Sequence, residues 1–209
     1  MLVFGAKGLG KEVLDICIRD ERFADVSFYD DISTDLPAML YNKYHILRHI
    51  DEAANYFRSV DNRFVIGIGG PKLRELAYNK FSEIGGVPQT IISDRSFVGT
   101  FVQLEAGVNV MVNSVITNDA RIGKGCLINQ MASISHDVVL GDFVEVCPAV
   151  AIAGNCKIGN YVFLGTNCTI LPNVIIGNNV IVGAGTVVIS DVPDNCTVVG
   201  VPGRIIKQH

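Results

Sequence analysis

The sequence predicts two structural classes in one chain, an α/β unit over residues 1–95 and an all-β unit, a parallel β-helix, over residues 96–209. Before residue 95, short apolar runs alternate with helical patterns, which is typical of a parallel sheet covered by helices. From Val98 to Val188, every sixth residue is aliphatic for sixteen consecutive positions. A period of six fits neither a helix nor a simple strand, so it indicates a repeat architecture. A length of 209 residues is enough for two small domains.

The six-residue period predicts a prism of stacked triangular coils. In a strand, side chains two residues apart share one face, and the residue two places before each aliphatic position is always Ser, Ala, Cys, Thr or Val. Three such faces close a coil of eighteen residues, so sixteen units make about 25 Å of prism at the usual strand spacing. A glycine follows the aliphatic residue in seven units, and we expect it to ease the backbone conformation of the corner.

Composition and charge disfavour several classes of protein. The net charge is −4 and the sequence has no basic cluster, which argues against nucleic-acid binding. No apolar run reaches 18 residues and Met1 leads directly into a strand, so we expect neither a membrane span nor a signal peptide. Of six cysteines, Cys126, Cys156 and Cys168 occupy small inward positions of the repeat. We therefore expect free thiols that fill space, in a cytoplasmic protein.

The first glycine-rich segment predicts a nucleotide site. Gly5–Gly10 has the spacing G-x-x-G-x-G, follows the apolar strand Leu2–Phe4 and opens a helix, whose free N–H groups attract phosphate. Asp30 lies at the end of the next strand, where an acidic residue often binds a ribose. Because ninety residues make about half of a dinucleotide fold, we predict a single nucleotide. The alternative is a set of tight strand-to-helix turns with no ligand.

One histidine falls within the repeat. His136 lies at a corner and Asp137 follows it, so the carboxylate can fix the tautomer of the imidazole and support its action as a general base. Gly154, eighteen residues later, should lie one coil along the same corner, and Thr166 and Ala184 should stack on a different edge. The alternative is an exposed corner histidine with no role. No metal is expected, because a zinc site of imidazoles needs three histidines and the prism has one.

Four segments together resemble a known family. They are Ser135-His136-Asp137, Val139-Leu140-Gly141-Asp142-Phe143, Ala153-Gly154-Asn155 and Gly200-Val201-Pro202-Gly203. Over its whole length the chain is similar to the bacterial sialic-acid O-acetyltransferases and nucleotide-sugar 4-amino N-acetyltransferases, which are hexapeptide-repeat acyltransferases. This resemblance implies a small Rossmann-like domain followed by a left-handed parallel β-helix, acetyl-CoA as co-substrate, and a homotrimer with active sites between neighbouring prisms.

The resemblance also implies roles for individual residues. His136 is the general base, Asp137 raises its basicity, and Asn129 lies near the reacting amine. The residues assigned to acetyl-CoA are Glu145, Gly154, Thr166 and Ala184, with the Gly154 N–H directed at the thioester oxygen. The residues assigned to the nucleotide sugar, besides Asn129, are Lys7, Gly8, Leu9, Asp30, Asp31 and Gly69. Leu9 and Glu145 stand where the family usually has histidine, and for Glu145 that histidine lies near acetyl-CoA.

Together these observations predict an acetyl-CoA-dependent N-acetyltransferase that acts on a nucleotide-linked amino sugar, with a UDP-linked 4-amino-dideoxy sugar expected from the resemblance. The amine attacks the thioester directly, and no covalent enzyme intermediate is required. The alternative activity is O-acetylation of a sialic acid or another sugar hydroxyl. A non-catalytic trimer that binds nucleotide sugars is disfavoured by the retained His136–Asp137 pair. An NAD(P)-dependent oxidoreductase is disfavoured by the half-size nucleotide domain.

Overall fold

The computed structural model describes residues 1–23 and 25–209, and its first part is a six-stranded sheet flanked by helices. The strands are β1 Leu2–Phe4, β2 Ser27–Tyr29, β3 Met39–Leu40, β4 Tyr44–Leu47, β5 Arg63–Ile66 and β6 Val87–Pro88. The helices are α1 Gly8–Cys17, α2 Ile50–Ser59 and α3 Pro71–Glu83, with a short 3-10 helix at Glu21–Phe23. The sheet order is β3-β4-β2-β1-β5-β6, and every pair except β3–β4 is parallel. The predicted α/β fold is confirmed.

Strand β1 contributes to two apolar cores because successive side chains of a strand point to opposite faces. Leu2 and Phe4 pack in a cluster with the aromatic residues of α2 and α3, where the rings of Phe4 and Phe81 lie 4.9 Å apart. Val3 packs on the other face, in a cluster that includes Leu14 of α1. The sheet is therefore covered by α1 on one side and by α2 and α3 on the other.

Residues from Ile91 onward form a prism of three sheets, which confirms the predicted β-helix. Its short strands are β7 Ile91–Ile92, β8 Phe97–Val98, β9 Gln103–Leu104, β10 Asn109–Val110, β11 Val115–Ile116, β12 Arg121–Ile122, β13 Leu127–Ile128, β14 Ser133–Ile134, β15 Val139–Leu140, β16 Glu145–Val146, β17 Ala151–Ile152, β18 Lys157–Ile158, β19 Phe163–Leu164, β20 Thr169–Ile170, β21 Ile175–Ile176, β22 Ile181–Val182 and β23 Val187–Val188. Two longer strands, β24 Cys196–Val199 and β25 Arg204–Gln208, pair antiparallel at the edge of the eight-stranded sheet. Parallel partners among β7–β23 lie eighteen residues apart, as Val110 and Ile128 do, whereas partners in β22 and β24 lie sixteen residues apart.

The corners of the prism correct one expectation about glycine. The positive φ angles of the corners fall mostly on residues other than glycine, three places after the inward aliphatic residue, as at Asp137 (59°) and Asn155 (62°). The glycines directly after the aliphatic residue are needed for another reason, because a Cβ on Gly123 would lie 2.4 Å from the carbonyl oxygen of Gly141 in the next coil. The expected conformational role is wrong, and close stacking of coils is the physical cause.

The outer face of the eight-stranded sheet packs against the α/β part. Ile91 and Leu127 are fully buried there, in the same cluster as Val3. The side-chain amide of Asn109, also fully buried, donates a hydrogen bond to the carbonyl oxygen of Ile66 at 2.8 Å. The end of β5 is thus fixed directly to the prism.

The structure also bears on the cysteines and on the expectation about membrane spans. All six cysteines are buried free thiols, and Cys126, Cys156 and Cys168 belong to the core of the prism, as their positions in the repeat predict. Burial raises the pKa of the Cys126 thiol to about 12. Among the described residues, no helix has the length and apolar character needed to cross a membrane.

Candidate active site

A cleft of about 610 Å³ opens beside the carboxyl ends of β1, β2 and β5. The chain places β2 on one side of β1 and later returns to place β5 on the other side, and α/β sheets bind ligands at such a point. The residues that line it include Lys7, Gly8, Leu9, Asp30, Asp31 and Gly69. The structure therefore brings together every residue that the sequence assigns to the nucleotide sugar except Asn129.

The glycine turn after β1 has a closed side and an open side. Gly5 has a φ angle of 97°, and a Cβ on Gly10 would lie 2.1 Å from the Gly5 carbonyl oxygen, so both positions require glycine. A Cβ on Gly8 would meet nothing within 4 Å. Lys7 precedes α1, and no side chain in the described part of the chain caps the first turn of that helix. This turn can therefore bind an anion through its N–H groups.

Asp30 holds the loops around the cleft. Its side-chain oxygens accept hydrogen bonds from the backbone N–H groups of Ala6 at 3.2 Å, Ile32 at 3.3 Å and Ser33 at 2.8 Å. Burial by itself raises the pKa of Asp30, but the hydrogen bonds from Ser33 and Ala6 outweigh it and hold the pKa below its ordinary value. The carboxylate thus stabilises the glycine turn, while its contact with a ribose stays a prediction.

An ion pair that the sequence did not predict lies in the same cleft. The Lys80 ammonium is 2.5 Å from Oδ2 of Asp31, and the Tyr29 hydroxyl donates to that oxygen at 2.9 Å. Partial burial raises the pKa of Asp31, but these two hydrogen bonds outweigh it, so the pKa is lowered. Burial lowers the pKa of Lys80, and the bond to Asp31 more than offsets it, so the pKa is raised. Both groups are therefore charged at neutral pH and available to a polar ligand.

Aliphatic side chains form an exposed rim around this ion pair. Ile32, Leu73 and Leu76 are 84%, 58% and 56% exposed. Large exposed apolar side chains beside a few polar groups are typical of a ligand site. One face of α3 carries Leu73, Leu76 and Lys80 at the spacing i, i+3, i+7. This spacing is visible in the sequence and could have indicated that Lys80 lies beside the apolar rim. The rim, the ion pair and the uncapped helix together suit a nucleoside diphosphate.

The predicted general base lies at an exposed corner of the prism. Nδ1 of His136 is 2.8 Å from Oδ2 of Asp137, and the two side chains are 59% and 55% exposed. The imidazole stacks over Gly154, where an added Cβ would lie 2.6 Å from the ring. The Asn155 N–H donates to the His136 carbonyl oxygen at 3.1 Å, which joins the two coils at this corner. The predicted stacking of His136 and Gly154 is therefore present.

Three residues assigned to the amine and to acetyl-CoA lie on a different edge. Thr166 and Ala184 stack there in adjacent coils, joined by a bond of 2.9 Å from the Gly185 N–H to the Thr166 carbonyl oxygen. The eighteen-residue register places Asn129 on this edge too, and its side-chain oxygen accepts from the Gln130 N–H at 2.9 Å. A single chain therefore does not bring these residues together with His136.

Glu145, the other residue assigned to acetyl-CoA, lies between the prism and the cleft. It is 7% exposed on the outer face of β16, and its carboxylate accepts the N–H of Gly70 at 2.5 Å. Gly69, which lines the cleft, passes so close that an added Cβ would lie 3.1 Å from Oε1 of Glu145. The nearest contacts of Glu145 in this chain are thus on the nucleotide side, and its contact with acetyl-CoA stays a prediction.

Two family models match separate parts of the chain. The PglD N-terminal domain matches residues 1–81, which contain the cleft. The bacterial transferase hexapeptide model, with six repeats, matches residues 155–190 in the later coils of the prism. The two matches correspond to the two structural classes of the chain.

Solved structures match almost the whole chain. A variant of perosamine N-acetyltransferase from Caulobacter crescentus, in complex with CoA and GDP-perosamine, is 27% identical, with a TM-score of 0.87 and coverage of 99% of this chain and 96% of that one. WeeI from Acinetobacter baumannii is 29% identical, with a TM-score of 0.87 and coverage of 98% of each chain. The acetyltransferase domain of PglB from Neisseria gonorrhoeae, in complex with acetyl coenzyme A, is 24% identical, with a TM-score of 0.88 and 98% coverage of each, and supports the fold alone.

Proposed function

We propose that the chain is a hexapeptide-repeat acyltransferase with a PglD-type N-terminal domain, and that it transfers the acetyl group of acetyl-CoA to the amino group of a nucleotide-linked sugar. The observation that carries this proposal is the His136–Asp137 pair, an exposed imidazole oriented by a carboxylate. The likeness to a perosamine N-acetyltransferase over 99% of this chain supports the amine as acceptor.

The proposed chemistry is a direct transfer with His136 as general base. With Nδ1 protonated and donating to Asp137, Nε2 is free to accept a proton from the sugar amine. The amine nitrogen bonds to the thioester carbon, the carbon–sulfur bond breaks, and the CoA sulfur takes up the proton that His136 carried. The Gly154 N–H donates to no protein acceptor in the described part of the chain, so it is free to stabilise the oxyanion of the intermediate.

We assign the nucleotide to the α/β cleft. The diphosphate would lie on the uncapped first turn of α1, over Gly8, and the polar groups of the nucleoside would contact the Asp31–Lys80 pair. A UDP-linked 4-amino-dideoxy sugar is the first candidate substrate, and the GDP and dTDP sugars are tested beside it.

Six buried free thiols fit a reducing cytoplasm, which is where we place the protein.

We further propose that the protein acts as a homotrimer. His136 and Gly154 lie on one edge of the prism, while Asn129, Thr166 and Ala184 lie on another. A catalytic base and a cofactor channel on different edges of one prism can meet only if two prisms lie side by side. A closed ring of three copies gives every His136 edge a neighbouring cofactor edge.

The product of the reaction tests the proposed function most directly. Thiol release from acetyl-CoA is measured with UDP-, GDP- and dTDP-linked 4-amino sugars, and the product is analysed by mass spectrometry before and after treatment with hydroxylamine. We expect release with at least one of these sugars and an acetamide that hydroxylamine leaves intact.

Two other outcomes would overturn the proposal. A product that hydroxylamine cleaves is an ester, and it would support O-acetylation in place of N-acetylation. Binding of nucleotide sugars without thiol release from acetyl-CoA would support a non-catalytic binding protein. As a control, the His136→Ala variant should bind the same sugar and release thiol at least about 100-fold more slowly than the wild-type protein.

A further inference from the structure

Helix α3 begins against a carboxylate that comes from the prism. Its N-cap is Gly70, with a φ angle of 86°, and Pro71 occupies the first helical position. Neither residue offers a capping side chain, and the Gly70 N–H is instead bound by Glu145, 75 residues further along the chain. A carboxylate beside a helix N-terminus interacts favourably with the helix dipole, more so when it is buried as Glu145 is.

One turn further along α3, a buried arginine makes the complementary contacts. The Arg74 side chain is fully buried, and its guanidinium donates to the carbonyl oxygens of Ile66 (3.2 Å) and Ile68 (2.9 Å) at the end of β5. It also donates to the prism, to the carbonyl oxygens of Gly125 at 2.8 Å and Cys126 at 3.2 Å. Burial lowers the pKa of Arg74 to about 10, so the side chain keeps its charge at neutral pH.

These contacts converge on one wall of the cleft. The segment Gly67–Gly69 lines the cleft and runs from the end of β5, which Arg74 holds, to Gly70, which Glu145 holds. Gly69 has no side chain of its own through which it could be anchored. The wall is therefore joined to the prism by Glu145 at Gly70, by Asn109 at Ile66, and by Arg74, which donates to carbonyl oxygens on both sides.

We propose that Glu145 is a positioning residue for the nucleotide sugar: by binding Gly70 it fixes the Gly67–Gly69 wall of the cleft to the prism, and Arg74 fixes the end of β5 beside it. This inference rests on the proposed function. It differs from the role that the resemblance implies for position 145, because it places the effect of Glu145 on the nucleotide sugar and not on acetyl-CoA.

A role for Glu145 in the nucleotide site and a role in the acetyl-CoA site predict changes in the KM of different substrates. In Glu145→Ala the Gly70 N–H loses its partner, and the KM for the nucleotide sugar should rise by about tenfold, the equivalent of one hydrogen bond to a charged group. The KM for acetyl-CoA should change by less than about twofold. Glu145→Gln keeps an oxygen that can accept from Gly70, so it should recover most of the loss. A rise in the KM for acetyl-CoA alone would overturn the proposal.

A matched control and a structural measurement separate this role from general destabilisation. Glu105→Gln changes an exposed corner glutamate of the first coil and should leave both KM values and the melting temperature unchanged. Hydrogen exchange followed by mass spectrometry should show faster exchange in peptides over residues 69–73 of Glu145→Ala, and no change in Glu105→Gln. Unchanged exchange in the Ala variant would contradict the proposal.

The exchange measurement also distinguishes failure of the positioning role from failure of the proposed function. If the wild-type protein transfers no acetyl group to any sugar tested, the proposed function fails. Binding of UDP, GDP and dTDP, measured by calorimetry on wild-type protein and Glu145→Ala, then tests the cleft without turnover. Weaker binding with faster exchange at residues 69–73 would support the positioning role, and unchanged binding would overturn it.

Discussion

The α/β cleft and the histidine corner differ in how much of a site one chain completes. The cleft lies where strand ends and helices converge, and its anchoring carboxylate, Asp30, is 8% exposed. The imidazole of His136 is 59% exposed on the outside of a prism. A concave site at the end of a sheet can enclose a ligand within one chain, whereas a convex corner can only present a side chain. Under the proposed function, one chain would therefore suffice to bind the nucleotide, whereas acetyl transfer at the corner would require a second chain.

The largest expected effect concerns the corner alone. His136→Ala should lower kcat by about 10²- to 10⁴-fold, because it removes the proposed acceptor of the amine proton. Asp137→Ala should lower kcat less, since Asp137 orients the imidazole and takes no proton. Calorimetry with the nucleotide should show unchanged binding in both variants, because the cleft is separate. Near wild-type turnover in His136→Ala would end the assignment of the base.

Mixed assemblies test whether the corner needs a neighbour. His136→Ala alone should have less than about 1% of wild-type turnover, and so should Ala184→Arg, whose exposed side chain would fill the proposed cofactor edge. If each site takes one edge from each of two chains, equal mixing of the two variants should restore about a quarter of wild-type turnover. Differently tagged chains confirm by mass spectrometry that mixed trimers have formed. Mixed trimers without activity would mean that one chain supplies both edges.

Gly154→Ala sharpens the geometry of the corner. The new Cβ would lie 2.6 Å from the His136 ring, so the imidazole must move, and kcat should fall by up to about 100-fold. The melting temperature should change little, because the displaced ring is exposed. In a His136→Ala background the same substitution should cost nothing further. An equal loss in both backgrounds would show that Gly154 acts independently of the ring.

Two glycines of the same turn separate ligand binding from folding in the cleft. Gly8→Val places a branched side chain in open space beside the proposed diphosphate, so the KM for the nucleotide sugar should rise by about tenfold or more while acetyl-CoA is unaffected. Gly10→Ala places a Cβ 2.1 Å from a backbone oxygen, so it should lower the melting temperature instead. If Gly8→Val shifts both KM values equally, the cleft does not bind the sugar nucleotide.

The smallest effect concerns the pH dependence of stability in the cleft. The pKa of Asp30 is lowered in the folded chain, so its carboxylate stabilises the fold above its ordinary pKa of about 3.9, and this contribution is lost as the pH falls through the folded value. Asp30→Asn should therefore melt a few degrees lower at pH 7, with the difference shrinking below about pH 4. The exposed Asp94→Asn is the control. A difference that is constant with pH would argue against a role for the charge.

Regular patterns account for what could be predicted before the structure. The six-residue period implies coils of eighteen residues, and the coil places Gly154 beside His136 because the stacking is strictly periodic. The bounds of α3, Pro71–Glu83, follow from a proline at the first turn and a helical pattern. The antiparallel pair of Met39–Leu40 and Tyr44–Leu47 was missed, because two short strands carry too little periodicity to be distinguished from a loop.

Polar contacts between distant segments could not be predicted in the same way. Lys80 pairs with Asp31 across 49 residues, and Glu145 caps α3 across 75. Neither pairing has a period, and both depend on how helices and sheets pack against one another. The expected position of Glu145 near acetyl-CoA came from a resemblance at one residue, while its observed partner, Gly70, has no side chain that a pattern could detect.

The sequence by itself determined the two fold classes, the composition of the prism core and the place of His136 on a corner, because each follows from local periodicity and the alternation of side chains in a strand. Only the tertiary structure decided that Asp30 holds a turn, that Lys80 joins the cleft, and that Arg74 and Glu145 connect the cleft to the prism. Those roles depend on how the α/β part and the prism pack against each other. A buried donor or acceptor forms its hydrogen bond with whichever partner that packing brings within reach.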